Sequence, residues 1–274
     1  MPFLKNTLEN LMMHAHLGFK IIICEDSSTD GTKDLLRSLE EEYITIVQSP
    51  KRISLAENWT KGISLVRTKY LKLLCADDEF SIPFAIEAVE IMEKNESLIA
   101  TTGRSRVIDP VTRSELIFKI SAWPCSGRIS CRRTEKLMVA AGRNIFGAPS
   151  AVIFRTSKLV QVMPWDGQYP YLIDVATYLK LLRRFKDYAV YFSTETASVF
   201  RLTPGSISDA NRKSQLKQWR KVVLRREEFG TLEWIALFSC GFILSMCQDV
   251  MKRGIYTFIN FKRKNRGKQN QSNT

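Results

Sequence analysis

The sequence predicts an α/β fold, a mostly parallel and partly mixed sheet flanked by helices, ending in a basic helical extension. Three observations carry that expectation. From Phe3 to Cys75, short apolar runs rich in β-branched residues alternate with stretches of helical period. Two acidic clusters, EDSSTDGT at Glu25 to Thr32 and CADDEF at Cys75 to Phe80, each follow directly on such an apolar run. The composition, 45% hydrophobic and 25% charged over 274 residues, supports one large domain with an appendage and excludes a disordered or low-complexity chain.

Phe3, Leu4, Leu8, Leu11 and Met12 recur at helical spacing, so the chain opens on a helix. Phe19 to Cys24 suits a buried strand. A helix from about Thr32 to Glu42, a strand at Ile44 to Gln48, a helix from Ser54 to Val66 and a strand at Tyr70 to Cys75 continue the βαβ alternation. Beyond Asp78 the pattern loosens. It predicts a helix near Phe84 to Lys94 and short mixed strands at Leu98 to Thr102, Arg106 to Asp109 and Glu115 to Lys119. A strand at Ser150 to Phe154, an amphipathic helix at Asp174 to Phe185 and strands at Tyr188 to Tyr191 and Ala197 to Arg201 follow. A boundary near Pro204 and Gly205 divides residues 1–205 from a helical, basic segment at 206–274.

The net charge of +13 raises the question of nucleic acid. Roughly 14 Lys and Arg against about 4 acids lie from Arg212 onward, leaving the first part nearly balanced. A basic tail without a nucleic-acid motif argues against a nucleic-acid binder. The six cysteines form no CxxC pair and no zinc spacing, which predicts reduced thiols and a cytoplasmic setting. The first residues show no pattern of an export signal.

In doubly wound sheets ligands bind beyond the carboxyl ends of the strands, so both acidic clusters are expected on one rim. A carboxylate pair on a tight turn suits Mg²⁺ or Mn²⁺ bridging to phosphate oxygens. On residues alone, Asp77, Asp78 and Glu79 serve equally well as a solvated turn capping the helix that starts near Ile82. The segment from Ser28 to Thr32 reads as an ordinary helix start, but that does not account for Glu25 and Asp26.

Taken in order, these segments resemble family 2 glycosyltransferases of the GT-A fold. ICEDSSTDGT is similar to the family's IxVDDGSTDGT segment, and LKLLCADDEFSIP to YIxxLDADDxxxP. SAVIFRTSKL and YLIDVATYLKLL resemble the strand and acidic helix start before the acceptor site, and FRLTPGSIS a YRxHxxSxS ending. The resemblance runs from about Phe3 to Ser208. It implies a Rossmann-like sheet and transfer of a sugar from a nucleotide-sugar donor to a hydroxyl of a saccharide or lipid-linked acceptor, inverting and metal-dependent, in polysaccharide or glycoconjugate biosynthesis. It further implies that Asp26, supported by Glu25, contacts the base, Asp77 the ribose or a metal-bound water, and Asp78 the metal-bound diphosphate. Asp174 falls where the family keeps the general base, with helix capping as its alternative. Arg201 is a further candidate for holding the diphosphate, with a surface ion pair as the bland alternative.

Two departures qualify the resemblance. The family's first strand, of the type VSVIIPTYN, is absent, which leaves Phe19 to Cys24 and Tyr70 to Cys75 each without a ladder partner on one side. That raises the alternative of a non-catalytic GT-A-like module or inactive fragment. Cys75 stands where many members have Asp. In the tail, Trp234 to Cys247 is too short to span a bilayer. Ile255 to Phe261 and the cluster Lys262, Arg263, Lys264, Arg266 and Lys268 suit either an anionic membrane surface, placing the protein peripherally on the inner face of the cell membrane, or packing on a partner.

Overall fold

The structure is a computed structural model, and it describes residues 2–39, 41–108, 115–116, 125–201, 212–223, 239 and 243–244. Helix α1 (Pro2–Met13) leads to strand β1 (Ile21–Glu25), helix α2 (Thr32–Arg37), strand β2 (Ile44–Gln48) and helix α3 (Leu55–Ser64). The start of α3 is fixed by a capping box. Ser54 accepts from the Glu57 backbone N–H while the Glu57 side chain accepts from the Ser54 N–H. Strands β3 (Tyr70–Lys72) and β4 (Glu79–Phe80) bracket the second acidic cluster. Helix α4 (Ile82–Glu93) begins at an N-cap on Ser81, with Pro83 in its first turn.

Strand β5 (Leu98–Ile108) follows, with β6 (Glu115–Leu116) paired to its end. Then come β7 (Gly127–Ser130), helix α5 (Cys131–Ala141) capped by Ser130, β8 (Val152–Arg155) and the short α6 (Thr156–Leu159). Helix α7 (Ile173–Arg184), strand β9 (Ala189–Arg201) and helix α8 (Arg212–Val223) complete the described elements.

The strands form two sheets. β1 and β2 pair in parallel as a two-stranded sheet, with Ile21 opposite Ile44 and Glu25 opposite Gln48. The larger sheet has the order β3-β8-β5-β9-β4, with β6 on β5 and β7 on β9. Its long ladder, β5 on β9, is parallel, and the remaining pairings are antiparallel. Helices flank this mixed sheet as expected. Among the described residues, β1 is bonded only to β2 and β3 only to β8.

Strand β8 shows how the sheet builds its two cores. All four of its residues are buried, as befits a strand covered on both faces. Val152 and Phe154 join the cluster that includes α5, α7 and α3, while Ala151 and Ile153 face Phe84, Ala88 and Met92 of α4. In the larger core, Phe146 stacks on Tyr178 at 4.8 Å and Phe154 lies at 5.8 Å from the same ring. Trp59 meets Trp165 edge-on at 5.1 Å, which ties α3 to this core. Trp219 and Val222 of α8 also belong to it, so the start of the basic segment packs on the α/β domain.

Several elements differ from the sequence expectation for local reasons. Segments expected as two strands, 98–102 and 106–109, are one strand as far as Ile108, because β5 passes through an irregularity between Thr102 and Arg104 without ending, and Asp109 lies outside the described residues. A Cβ on Gly103 would lie 2.7 Å from the Phe84 ring and 2.8 Å from Ala197 Cβ, so only glycine allows that approach. The polar run Ser193–Thr196 likewise interrupts the apolar pattern of β9 but not its backbone. Helix α2 stops at Arg37, five residues short of the expected Glu42, where the Ser38 hydroxyl donates to Leu35 O. Strand β3 ends at Lys72 instead of Cys75. β7 and α5 are unanticipated by the apolar pattern. The expected segments Trp234 to Cys247, Ile255 to Phe261 and the cluster Lys262 to Lys268 lie outside the described residues, apart from Ser239, Ile243 and Leu244.

Candidate active site

The turn between β3 and β4 carries the second acidic cluster. It closes through the Asp78 N–H donating to Cys75 O at 3.0 Å. Asp78 is buried, and its Oδ2 accepts from the Ser150 hydroxyl at 2.6 Å. The same hydroxyl oxygen accepts from the Cys75 N–H at 3.1 Å. Ser150 sits in the single 3-10 turn that precedes β8, so the strand next to β3 clamps the acidic turn. Helix α1 closes the other side, with the Thr7 hydroxyl donating to Asp78 O at 3.1 Å.

Asp78 Oδ1 is buried and has no hydrogen-bond partner. Burial pushes the Asp78 carboxyl up to about 7, with nearby Asp77 adding to the rise and Ser150, Arg201 and Lys72 opposing it. Lys72, on β3, is its mirror image. Its ammonium nitrogen is buried without a hydrogen bond beside the rings of Phe80 and Phe84, and burial pushes it down to about 7 against the pull of Asp78.

Arg201, at the end of β9, does reach this turn, but its guanidinium is occupied. It donates to Asp77 O at 2.6 Å and to the Glu79 carboxylate, and the Phe3 ring covers it at 4.8 Å. The side chain is 5% exposed. It braces the acidic turn through a partly buried ion pair with Glu79. The cap of α4 is Ser81, which removes helix capping as the explanation of Asp77 to Glu79.

Asp174 lies in the first turn of α7, one residue inside the helix, so it is not the N-cap. Its Oδ2 accepts from Asn144 Nδ2 at 2.9 Å. Burial pushes this carboxyl up to about 6, opposed by backbone N–H groups of the helix start and by Asn144. Tyr178, one turn further along α7, has a buried hydroxyl without a partner. Burial, Asp174 and Cys75 push its phenol well up. Cys75 in turn feels Asp78, Asp77 and Asp174. The carboxylates of the β3–β4 turn and of α7 therefore lie around one thiol, although far apart in sequence.

The first cluster is placed differently. Glu25 Oε1 accepts from the Ser28 N–H. Burial raises its carboxyl, but the hydrogen bonds from Ser28 outweigh it and the net displacement is downward. Asp26 Oδ1 accepts from the Ile53 N–H at 2.8 Å, and Ser27, at φ 52, donates its hydroxyl to Ser49 O. Asp26 thus ties the end of β1 to the loop before α3. Among the described residues no hydrogen bond or ion pair joins Glu25 or Asp26 to the Asp77–Asp78 turn. On α3, Trp59 packs on Trp165, and Asn58 Nδ2 donates to Cys24 O at 3.4 Å. A cavity of about 390 Å³ lined by Glu96, Ser97, Arg155, Lys158, Asp187 and Tyr188 lies at the opposite end of the large sheet, away from these carboxylates.

Ser150, Asn144, Lys72 and Tyr178 are the polar neighbours that sequence reasoning did not single out. Each is a lone polar residue within or beside an apolar run, a pattern that carries no signal until the fold brings it to a carboxylate. No group of three or more His, Cys, Asp or Glu that could hold a metal ion occurs among the described residues. Mg²⁺ nevertheless needs only one or two protein carboxylates when substrate phosphates complete its shell. The unpartnered Asp78 Oδ1 beside Asp77 fits that requirement.

Comparison with known proteins bears on the family and the fold. The model of the family described as "Glycosyl transferase family 2" matches residues 2–159. TuaG of Bacillus subtilis, which carries the name of a teichuronic acid biosynthesis glycosyltransferase, is 25% identical over 219 residues, 79% of this chain and 81% of its own length. The poly-beta-1,6-N-acetyl-D-glucosamine synthase of Staphylococcus aureus strain COL is 24% identical over 233 residues, and the chain spans only 54% of it. Among solved structures, S. aureus TarS residues 1–349 in complex with UDP-GlcNAc superposes with a TM-score of 0.54 at 9% identity, covering 80% of this chain and 61% of TarS. With more than half of its length matched by the family model, the chain belongs to glycosyl transferase family 2, a family of nucleotide-sugar-dependent glycosyltransferases.

Proposed function

We propose that this protein transfers a sugar from a nucleotide-sugar donor to a hydroxyl of a saccharide or lipid-linked acceptor, with inversion, during synthesis of a cell-surface polysaccharide. The observation that carries the proposal is the gathering of two raised carboxylates, Asp78 at about 7 and Asp174 at about 6, around Cys75. A carboxyl poised near neutrality is suited to accept a proton from a hydroxyl. In the proposed reaction Asp174 takes the acceptor's proton as the acceptor oxygen bonds to the anomeric carbon, and the bond to the diphosphate breaks in line. Inversion follows from that single displacement.

Asp78, with Asp77 through water, would hold Mg²⁺ or Mn²⁺, which supplies positive charge against the departing diphosphate. Arg201 keeps the Asp77–Glu79 backbone in place, and Glu25 and Asp26 shape the end of β1 for the nucleotide. UDP is the first nucleotide to try, because TarS binds UDP-GlcNAc. The relatives in teichuronic acid and poly-N-acetylglucosamine synthesis support a polymer acceptor. The basic tail at 206–274 is proposed to dock on an anionic membrane surface, where a lipid-linked acceptor would be found. Among the described residues no helix is long and apolar enough to cross a membrane.

A second reading, a non-catalytic module, is favoured by one observation: among the described residues the strands form two separate sheets, with β1 and β3 each bonded on one side only. A panel of nucleotide sugars with Mn²⁺ tests both readings. Donor-dependent thermal stabilisation and transfer or hydrolysis that fall at least 100-fold in Asp78→Ala are expected. Turnover that survives Asp78→Ala would overturn the assigned site, and donor binding without turnover would establish the non-catalytic reading.

A further inference from the structure

Asn144 lies in the loop after α5, and nothing in its sequence surroundings marks it. Its amide makes three hydrogen bonds. Nδ2 donates to Asp174 Oδ2 at 2.9 Å and to Gly147 O at 2.7 Å, while Oδ1 accepts from the Phe146 N–H at 2.9 Å. The two backbone contacts fix the orientation of the amide. Turning it over would set Oδ1 against the Gly147 carbonyl and the NH₂ against the Phe146 N–H, two repulsive contacts. The loop itself is anchored, because the fully buried Phe146 stacks on Tyr178, which stands one helical turn beyond Asp174.

Asn144 therefore presents an N–H to Asp174 whatever the charge of the carboxyl, and an oxygen that accepts from an N–H is the poorer site for a proton. The titratable groups facing Asp174 are Tyr178 on the same helix and Cys75 after β3, and burial pushes both up so that they stay neutral. Among the described residues no other side chain hydrogen-bonds this carboxylate, which also accepts from the backbone N–H groups of Asp174 and Val175. We infer that Asn144 is the positioning residue of the proposed base, holding Asp174 through Oδ2 so that the carboxylate is oriented to receive the proton of the acceptor hydroxyl. The inference rests on the assignment of Asp174 as that base.

The test uses the full chain with ¹³C-labelled aspartate carboxyls, the Asp174 signal being identified by its loss in Asp174→Asn. Wild-type Asp174 is expected to titrate near 6. Asn144→Ala should raise the midpoint by about half to one pH unit, since one hydrogen bond favouring the charged form is gone. The acid limb of the transfer rate should move by the same amount, with UDP affinity unchanged. Asn144→Asp keeps an acceptor for the Phe146 N–H but loses the donor, and should move the midpoint the same way if Asn144→Ala does not fold. A midpoint unmoved in the folded variants, with Asp174→Asn inactive, overturns the role of Asn144 alone. Full turnover in folded Asp174→Asn overturns the base assignment itself.

Discussion

Glu25 and Asp26 close a two-stranded parallel sheet whose β1 residues before Glu25 are only half-buried, and each carboxylate is met by a backbone N–H of a nearby loop. Asp78 and Asp174 lie at the rim of a seven-stranded sheet, and each is met on one oxygen by a side chain from a distant element, Ser150 or Asn144. The consequences are opposite. Glu25 is held below its usual range, whereas Asp78 and Asp174 are pushed above theirs. A loop whose hydrogen bonds outweigh the burial of its acid stabilises the charge and itself. A rigid sheet that buries an acid more than its hydrogen bonds offset stores a demand that a cation or a proton can fill.

The comparison is broken most directly by cavity formation. Phe154→Ala, in the core of the large sheet, should cost about 3 to 5 kcal/mol, while Ile22→Ala in half-buried β1 should cost about 1 to 2 kcal/mol. Equal losses in urea denaturation would show that the two sheets are one cooperative core with equal packing.

Charge gives the next test. Asp78 is raised in the folded state, so its contribution is fully present below its unfolded value of 3.8 and is lost as pH rises through about 7. A rise from 3.8 to about 7 corresponds to at most about 4 kcal/mol in the metal-free protein. Asp78→Asn should accordingly stabilise the metal-free chain at pH 8 by up to that amount and leave it nearly unchanged at pH 4. Wild-type and variant melting temperatures that run parallel across this window would refute the buried, unmet state of Asp78.

The smallest effect belongs to the first cluster. Glu25→Ala frees the Ser28 N–H and should destabilise by about 1 kcal/mol at pH 7. Because the Glu25 carboxyl is lowered, that difference should be present above the unfolded carboxyl value and shrink as pH falls below it. A difference that grows on acidification would show that Glu25 belongs with the raised carboxylates.

Much of the fold is legible in the sequence because its signals are local. The capping box at Ser54 and Glu57, the Ser81-Ile82-Pro83 start of α4 and the β-branched run Ile44–Gln48 announce themselves within a few residues. The strands read as broken at Gly103 and at Ser193–Thr196 were misread for a tertiary reason. β5 and β9 pair on both sides of the register shift at Gly103 and Ser193–Glu195, and Gly103 there packs against Phe84 and Ala197, contacts that no window of sequence contains.

The sequence by itself determined which residue types stand at the ends of β1 and β3 and at the start of α7, since an acid following an apolar strand or opening an amphipathic helix is visible in one dimension. Only the tertiary structure decided their physical states. Glu25 and Asp78 each keep one buried oxygen without a hydrogen bond, but at Glu25 the bonds from Ser28, three residues on, outweigh burial, whereas at Asp78 burial outweighs the hydroxyl of Ser150, 72 residues on. Desolvation and hydrogen bonding act through space, and a neighbour such as Asn144 has no position relative to Asp174 until the chain has folded.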